Sequence, residues 1–180
     1  MREMTSKKQT AVTRTPDSVR LDDYLSSVPD SQYADDPHRL PQEMRSTMLQ
    51  SGVMLDQPEA RSGTFLQVDH TPVHVSALED GVELMPTRAA LETHAWLGDY
   101  WWQAVSADTD QYTSHVDRLK SNGYFIRALP GRKTLLPLQA CLYLETEGLA
   151  QSVHNMVIAE EGSELHIITS YTAGPQAETG

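Results

Sequence analysis

Three side chains in the last third of this 180-residue chain are of types that bind soft metals: Cys141, His154 and His166. Thiolate and imidazole are the donors that iron and iron–sulfur sites take. Cys141 is the single cysteine and lies in the apolar run Ala140-Cys141-Leu142-Tyr143. Burial in such a run raises the thiol pKa and leaves a small, inert hydrophobe. His154 and His166 share strand parity and are separated by one turn, so they can project from neighbouring strands on one side. Two imidazoles are an incomplete set for zinc or iron. With Glu145 or Glu164 they would make the two-histidine, one-carboxylate site of a small metal-dependent β-barrel enzyme, which needs an open coordination position. The ordinary expectation for such a pair is two hydrogen-bonded structural histidines.

Other chemistry finds little support. His70 and His74 are four apart, but Thr71-Pro72 between them forbids the helix that would align them. Gly131-Arg132-Lys133-Thr134 ends like a phosphate-binding loop, yet Ile126 stands where the first glycine belongs. C-x-x-C, H-E-x-x-H and G-x-S-x-G are all absent from the sequence.

The elements that must position these residues follow from hydrophobic period. Residues 123–170 alternate in short strand-like segments broken by turns at Gly131, Gly148 and Gly162. Gln151–Ile158 and Glu164–Ser170 flank the acidic turn Ala159-Glu160-Glu161-Gly162, with apolar residues on both faces, as inside stacked sheets. Upstream, Leu135–Glu145 reads as a further strand. Residues 64–78 read as a hairpin, and Asp80-Gly81 as a turn. Pro86 to about Val105 is predicted as one helix, with Leu91, Ala95, Trp102 and Val105 on a single stripe that packs Trp102 against a sheet. Tyr112–Lys120 reads as a second short helix closed by Asn122-Gly123. Asp36-Pro37 opens a helical segment carrying Leu40, Met44 and Met48, with Gly52 as its stop and the methionines as core fillers. Leu21–Leu25 reads as one short helix.

Composition bounds the class. A 180-residue chain suits one domain with a small appendage and can bury roughly 70% of its unfolded surface. A net charge of -11 repels phosphate backbones, so nucleic-acid binding is disfavoured. One cysteine precludes an internal disulfide and fits a reducing cytoplasm. No apolar run approaches the roughly 18 residues of a membrane span, and the N-terminus lacks the apolar core of a secretory signal. Residues 1–20 read as a disordered leader, 21–122 as an α/β region with a tryptophan-bearing helix, and 123–180 as the start of a strand-built core.

The run Val153-His154-Asn155-Met156-Val157-Ile158-Ala159-Glu160-Glu161-Gly162-Ser163-Glu164-Leu165-His166-Ile167-Ile168 strongly resembles the SufB/SufD family of iron–sulfur cluster assembly scaffold proteins. Gly123-Tyr124-Phe125-Ile126-Arg127 and Gln139-Ala140-Cys141-Leu142-Tyr143-Leu144-Glu145 resemble that family's first core strands. The tract from Gly81 through Pro86 to Trp101 and Trp102 is similar to its archaeal and bacterial members. The likeness runs from about Arg61 onward. It implies an α+β fold in which an N-terminal helical region precedes the first coils of a right-handed parallel β-helix; periodicity alone also allows an antiparallel sandwich. It implies a non-enzymatic scaffold that pairs with a SufB/SufD-like subunit and an ABC-type SUF ATPase, and whose intact form handles an iron–sulfur cluster. Family members are much longer, so the chain reads as an N-terminal fragment or a degenerate short form. Where many relatives place a cysteine after this run, the sequence has Tyr171. No position matches the family's cluster-assembly residues, so the expectation is no catalytic residue, no resident metal and no cluster bound by this chain.

Overall fold

A computed structural model describes residues 19–177; the leader assigned to residues 1–20 lies almost wholly outside them. The fold is mixed α+β, with few helices and two mixed sheets. β1 (Gly63–Val68) and β2 (Thr71–Ala77) form the expected hairpin, turning at Asp69 and His70. β3 (Val82–Pro86) leads into α2 (Thr87–Thr93), and α3 (Gln111–Leu119) precedes β4 (Tyr124–Ala128). β5 (Leu138–Leu144), β6 (Met156–Ala159) and β7 (Ile167–Ala173) complete the series.

The four later strands alternate between the sheets. One sheet runs β2-β1-β5-β7 and the other β3-β4-β6. β5 lies parallel to both β1 and β7, and β6 lies parallel to β4. Strands from residues 21–122 and 123–180 therefore share both sheets. The turns stack as well: the Gly131 amide donates to the Glu161 carbonyl at 2.9 Å, beside Gly162. Gly131, Gly148 and Gly162 all hold φ near +70°, the left-handed backbone that favours glycine.

Period-2 alternation along β5 builds two hydrophobic layers. Leu138, Ala140 and Leu142 pack with Phe65, Val82 and Ile126 between the sheets. Cys141 and Tyr143 face the other way and meet Met44 and Met48 of α1 (Gln42–Gln50), the expected methionine fillers. A third layer, Ala90, Leu97 and Phe125 with Trp96 and Met156, covers the outer face of the three-stranded sheet. Asp36 caps the turn Pro37–Arg39, accepting from the His38 amide, and Leu21–Asp23 is one 3₁₀ turn.

Two sequence expectations need correction. The helix predicted from Pro86 to Val105 stops at Thr93. His94 is extended, a 3₁₀ segment spans Ala95–Tyr100, and Trp102 takes φ +56°. The break seats the His94 ring 5.4 Å from that of Trp96 and 5.7 Å from that of Phe125. The predicted stripe loses its phase there, so Ala95 and Val105 are exposed while Ala90 and Leu97 are buried. The strand predicted over Gln151–Ile158 begins only at Met156. Side chains replace its first ladder bonds: Gln151 Nε2 donates to the carbonyls of Asp69 and Tyr143, and Asn155 Oδ1 accepts from the Tyr124 amide.

Gly123 is required by a close approach. A Cβ there would overlap the His154 carbonyl oxygen and come 2.5 Å from Asn155 Oδ1. Gly98 has open space around it. Gly123→Ala is expected to destabilise by about 1–3 kcal/mol through overpacking, and Gly98→Ala to change stability by less than about 0.5 kcal/mol. Urea unfolding midpoints check both; equal effects would show that the two backbones are not so closely apposed.

Candidate functional site

The chain leading into β6 passes beneath the broken aromatic segment, and there His154 is held. Its amide donates to the Asn122 carbonyl, and its carbonyl accepts from Thr87 Oγ1 at 2.7 Å. The imidazole stacks on Trp101, with ring centroids 3.9 Å apart and planes at 28°, and lies 4.2 Å from Trp102 at 45°. Trp102 Nε1 donates to Asp117 Oδ1 of α3 at 2.7 Å. Trp102 therefore does not pack between a helix and a sheet, as its predicted stripe required. It closes a histidine–indole stack, half-buried and pinned to α3.

His154 and Trp102 line a groove of about 690 Å³ together with Tyr100, Tyr112, Val116, Met156 and Ile158. Burial holds the His154 pKa below the ordinary histidine value, with the Asp117 carboxylate opposing the shift. The ring is neutral at pH 7. Among the described residues its buried Nδ1 has no partner. A neutral imidazole in an apolar groove can hydrogen-bond a ligand. Among the described residues no three His, Cys, Asp or Glu side chains converge to hold a metal ion.

The structure does not gather the other sequence candidates at this place. Cys141 is fully buried in the layer under α1, and desolvation pushes its pKa up to about 12. His166 precedes β7 in the opposite sheet, its amide donating to Thr134 Oγ1 and its carbonyl accepting from the Leu138 amide. Glu145 follows β5, where burial and then the nearby Asp69 raise its pKa. Glu164 is in the turn after β6, bonded to Lys133. Of the four groups of the β-barrel enzyme reading, Glu164 and His166 share the connection between β6 and β7, while His154 and Glu145 lie on other segments. His70 is in the hairpin turn, and His74 is buried on β2 with Nδ1 2.8 Å from the Ala34 carbonyl.

A charged cluster that sequence reading missed lies across β3, β4 and the turn after β6. Arg127 bonds Glu83 at 3.1 Å and Glu160 at 2.8 Å, and its guanidinium stands 4.7 Å from the centre of the Trp96 ring. His94 Nε2 approaches Glu83 Oε2 at 3.3 Å. The register Glu83↔Arg127 was the usable signal, but it needs the β3–β4 pairing to be known first.

With fold and site described, the relatives are informative. No protein-family model matches the sequence. Over 139 residues, the chain is 42% identical to an iron–sulfur cluster assembly SufBD family protein of Methanothermobacter thermautotrophicus strain Delta H, covering 75% of this chain and 34% of that one. It is 46% identical over 124 residues to a SufBD family protein of Archaeoglobus fulgidus, covering 69% and 33%. It is 23% identical over 139 residues to the iron–sulfur cluster assembly protein SufB of Bacillus subtilis, covering 74% and 30%. The chain belongs to the SufBD family of iron–sulfur cluster assembly proteins. It spans about a third of the length of these relatives.

Two measurements follow. Thiol titration of the native chain at pH 8 is expected to find Cys141 unreactive, because only the thiolate attacks and burial suppresses it; one thiol should appear in denaturant. Rapid labelling of the native protein would contradict the buried position. Secondly, burial lowers the folded-state pKa of both His154 and His70 below 6.5. The unfolded chain therefore binds protons first as pH falls. Stability should be full above about pH 7 and decline through pH 6 toward the folded-state values. His154→Gln should flatten this decline in denaturation midpoints measured between pH 5 and 8, and an unchanged slope would show that His154 is not desolvated.

Proposed function

We propose that this chain is a non-enzymatic structural part of an iron–sulfur cluster assembly scaffold, corresponding to an N-terminal portion or short form of its relatives. The observation that carries the reading is a pair of open parallel edges. Among the described residues no strand pairs with the outer side of β6 or β7. Apolar side chains are exposed along them: Val157 at 48%, Ile168 at 42% and Tyr171 at 67%. Strands that alternate between two sheets and pair in parallel with the strand two along are what successive coils of a parallel β-helix make. β4–β5 and β6–β7 are read as its first two coils. Further coils of the kind the longer relatives have room for would cover Val157 and Tyr171.

In this reading the cluster is cargo, and the segment supplies a rigid start to the scaffold rather than its ligands. Cys141 is sealed under α1, and Tyr171 stands at the position resembling the family's cysteine. A cluster generally takes four thiolates or a mixed Cys/His set, which one chain with one buried thiol does not offer. A SufB/SufD-like subunit and an ABC-type SUF ATPase are the partners this reading implies, in the cytoplasm. Among the described residues no helix is long and apolar enough to cross a membrane.

Anaerobic reconstitution with iron and sulfide, then desalting and iron counting, is expected to leave no stable cluster. About one cluster per chain or per dimer, lost in Cys141→Ser, would overturn the proposal. The open edges are also expected to drive self-association. In sedimentation the chain should grow with concentration, and Val157→Lys with Tyr171→Lys should restore a monomer. A monomer at all concentrations would contradict an available edge.

A further inference from the structure

A second cleft, bordered by Asn122, is built from polar groups. It measures about 480 Å³ and is bordered by His70 and Thr71 of the hairpin turn, Arg88 of α2, and Lys120 and Ser121 after α3. Ser121 is only 9% exposed, yet its Oγ has no partner among the described residues. His70 Nε2 is likewise buried without one. A third such atom, His115 Nε2, belongs to a ring 5% exposed on α3. Leaving a buried donor or acceptor unsatisfied is costly, so the two that border this cleft, Ser121 Oγ and His70 Nε2, call for a partner.

Arg118 Nη2 lies 2.9 Å from His115 Nδ1, and a guanidinium only donates. His115 Nδ1 is therefore the acceptor, and Nε2 carries the proton. The His70 ring lies against the backbone of Ser26. Its buried Nε2 is the ring nitrogen left to meet a ligand. Ser121 can donate or accept. A cation is a poor occupant, because two cationic side chains, Arg88 and Lys120, border the cleft. Arg88 and Lys120 border the cleft with Asp30, which accepts from Thr71 Oγ1, while Asp69 beside His70 accepts from the Glu145 and Thr146 amides. Two of the 14 lysines and arginines of a chain of net charge -11 thus meet at one cleft.

We propose that this cleft binds a small phosphate-class oxyanion, with Ser121 Oγ–H donating to it, Lys120 and Arg88 neutralising it, and His70 Nε2 accepting the proton of its P–OH group. The oxyanion is either free phosphate or the head of a small phosphomonoester, which the cleft has room to hold.

The test titrates the full chain with inorganic phosphate at constant ionic strength, following calorimetric heat and the proton resonances of His70. Glycerol phosphate forms a second arm, and chloride the control. Saturable one-to-one binding that shifts His70 is expected. Ser121→Ala and Lys120→Asn should each weaken it about tenfold, one charge-assisted hydrogen bond being worth about 1.4 kcal/mol. Lys120→Asn keeps the left-handed backbone at φ +50° within reach, since Asn tolerates it. Arg39→Gln, on another face, should leave binding unchanged. Tighter binding of the ester than of phosphate would identify the monoester as the ligand. Absence of saturation, or binding indifferent to both variants, would overturn the proposal and leave buried water as the partner of these groups.

Discussion

The structure depends on β5 being paired on both edges, in parallel, between β1 and β7. Parallel pairing fixes which residues share a face, and the alternation of Leu138, Ala140 and Leu142 against Gln139, Cys141 and Tyr143 then dictates a hydrophobic layer on each side. A one-residue slip would place Gln139 between the sheets and Leu138 under α1. Gln139 itself resists that slip. Its amide bonds both the amide and the carbonyl of Met54, and takes a further bond from Arg61, tying the loop after α1 to the strand. Register, core and the seat of α1 are thus one decision.

That decision also places the chemistry. Cys141 falls on the α1 side because Leu138 and Leu142 take the inner face, and the same parity denies it solvent. His154 and His166 share parity in sequence, but consecutive strands here alternate between sheets, so parity across a turn does not bring two residues together. The sequence pattern therefore revealed the strand series, the turn glycines and the buried cysteine, all of which rest on local period. It could not reveal the sheet to which each strand belongs, and with that the separation of the two histidines was hidden.

The aromatic tract failed for a related reason. Leu91, Ala95, Trp102 and Val105 fit a helical stripe, but His94 gains more by leaving the helix, where its ring meets Trp96, Phe125 and Glu83. Tertiary contact overrode local preference. The result is the indole pair stacked on His154, a contact between residues more than fifty apart in sequence that no window of periodicity contains. Gly123 and Thr87, which hold the His154 backbone in place, were visible only as a turn glycine and a residue after proline.

Membership of the SufBD family rests on the relatives, and the scaffold reading on the edges that β6 and β7 leave open. Residue-resolved amide hydrogen exchange on dilute, monomeric chain tests that reading most directly. An edge strand in a parallel sheet turns alternate amides toward its one partner, so β7 should show protected and fast-exchanging amides in alternation, while β5 is protected throughout. Uniform protection along β7, equal to that of β5, would mean that its outer edge is already paired, and would contradict the account.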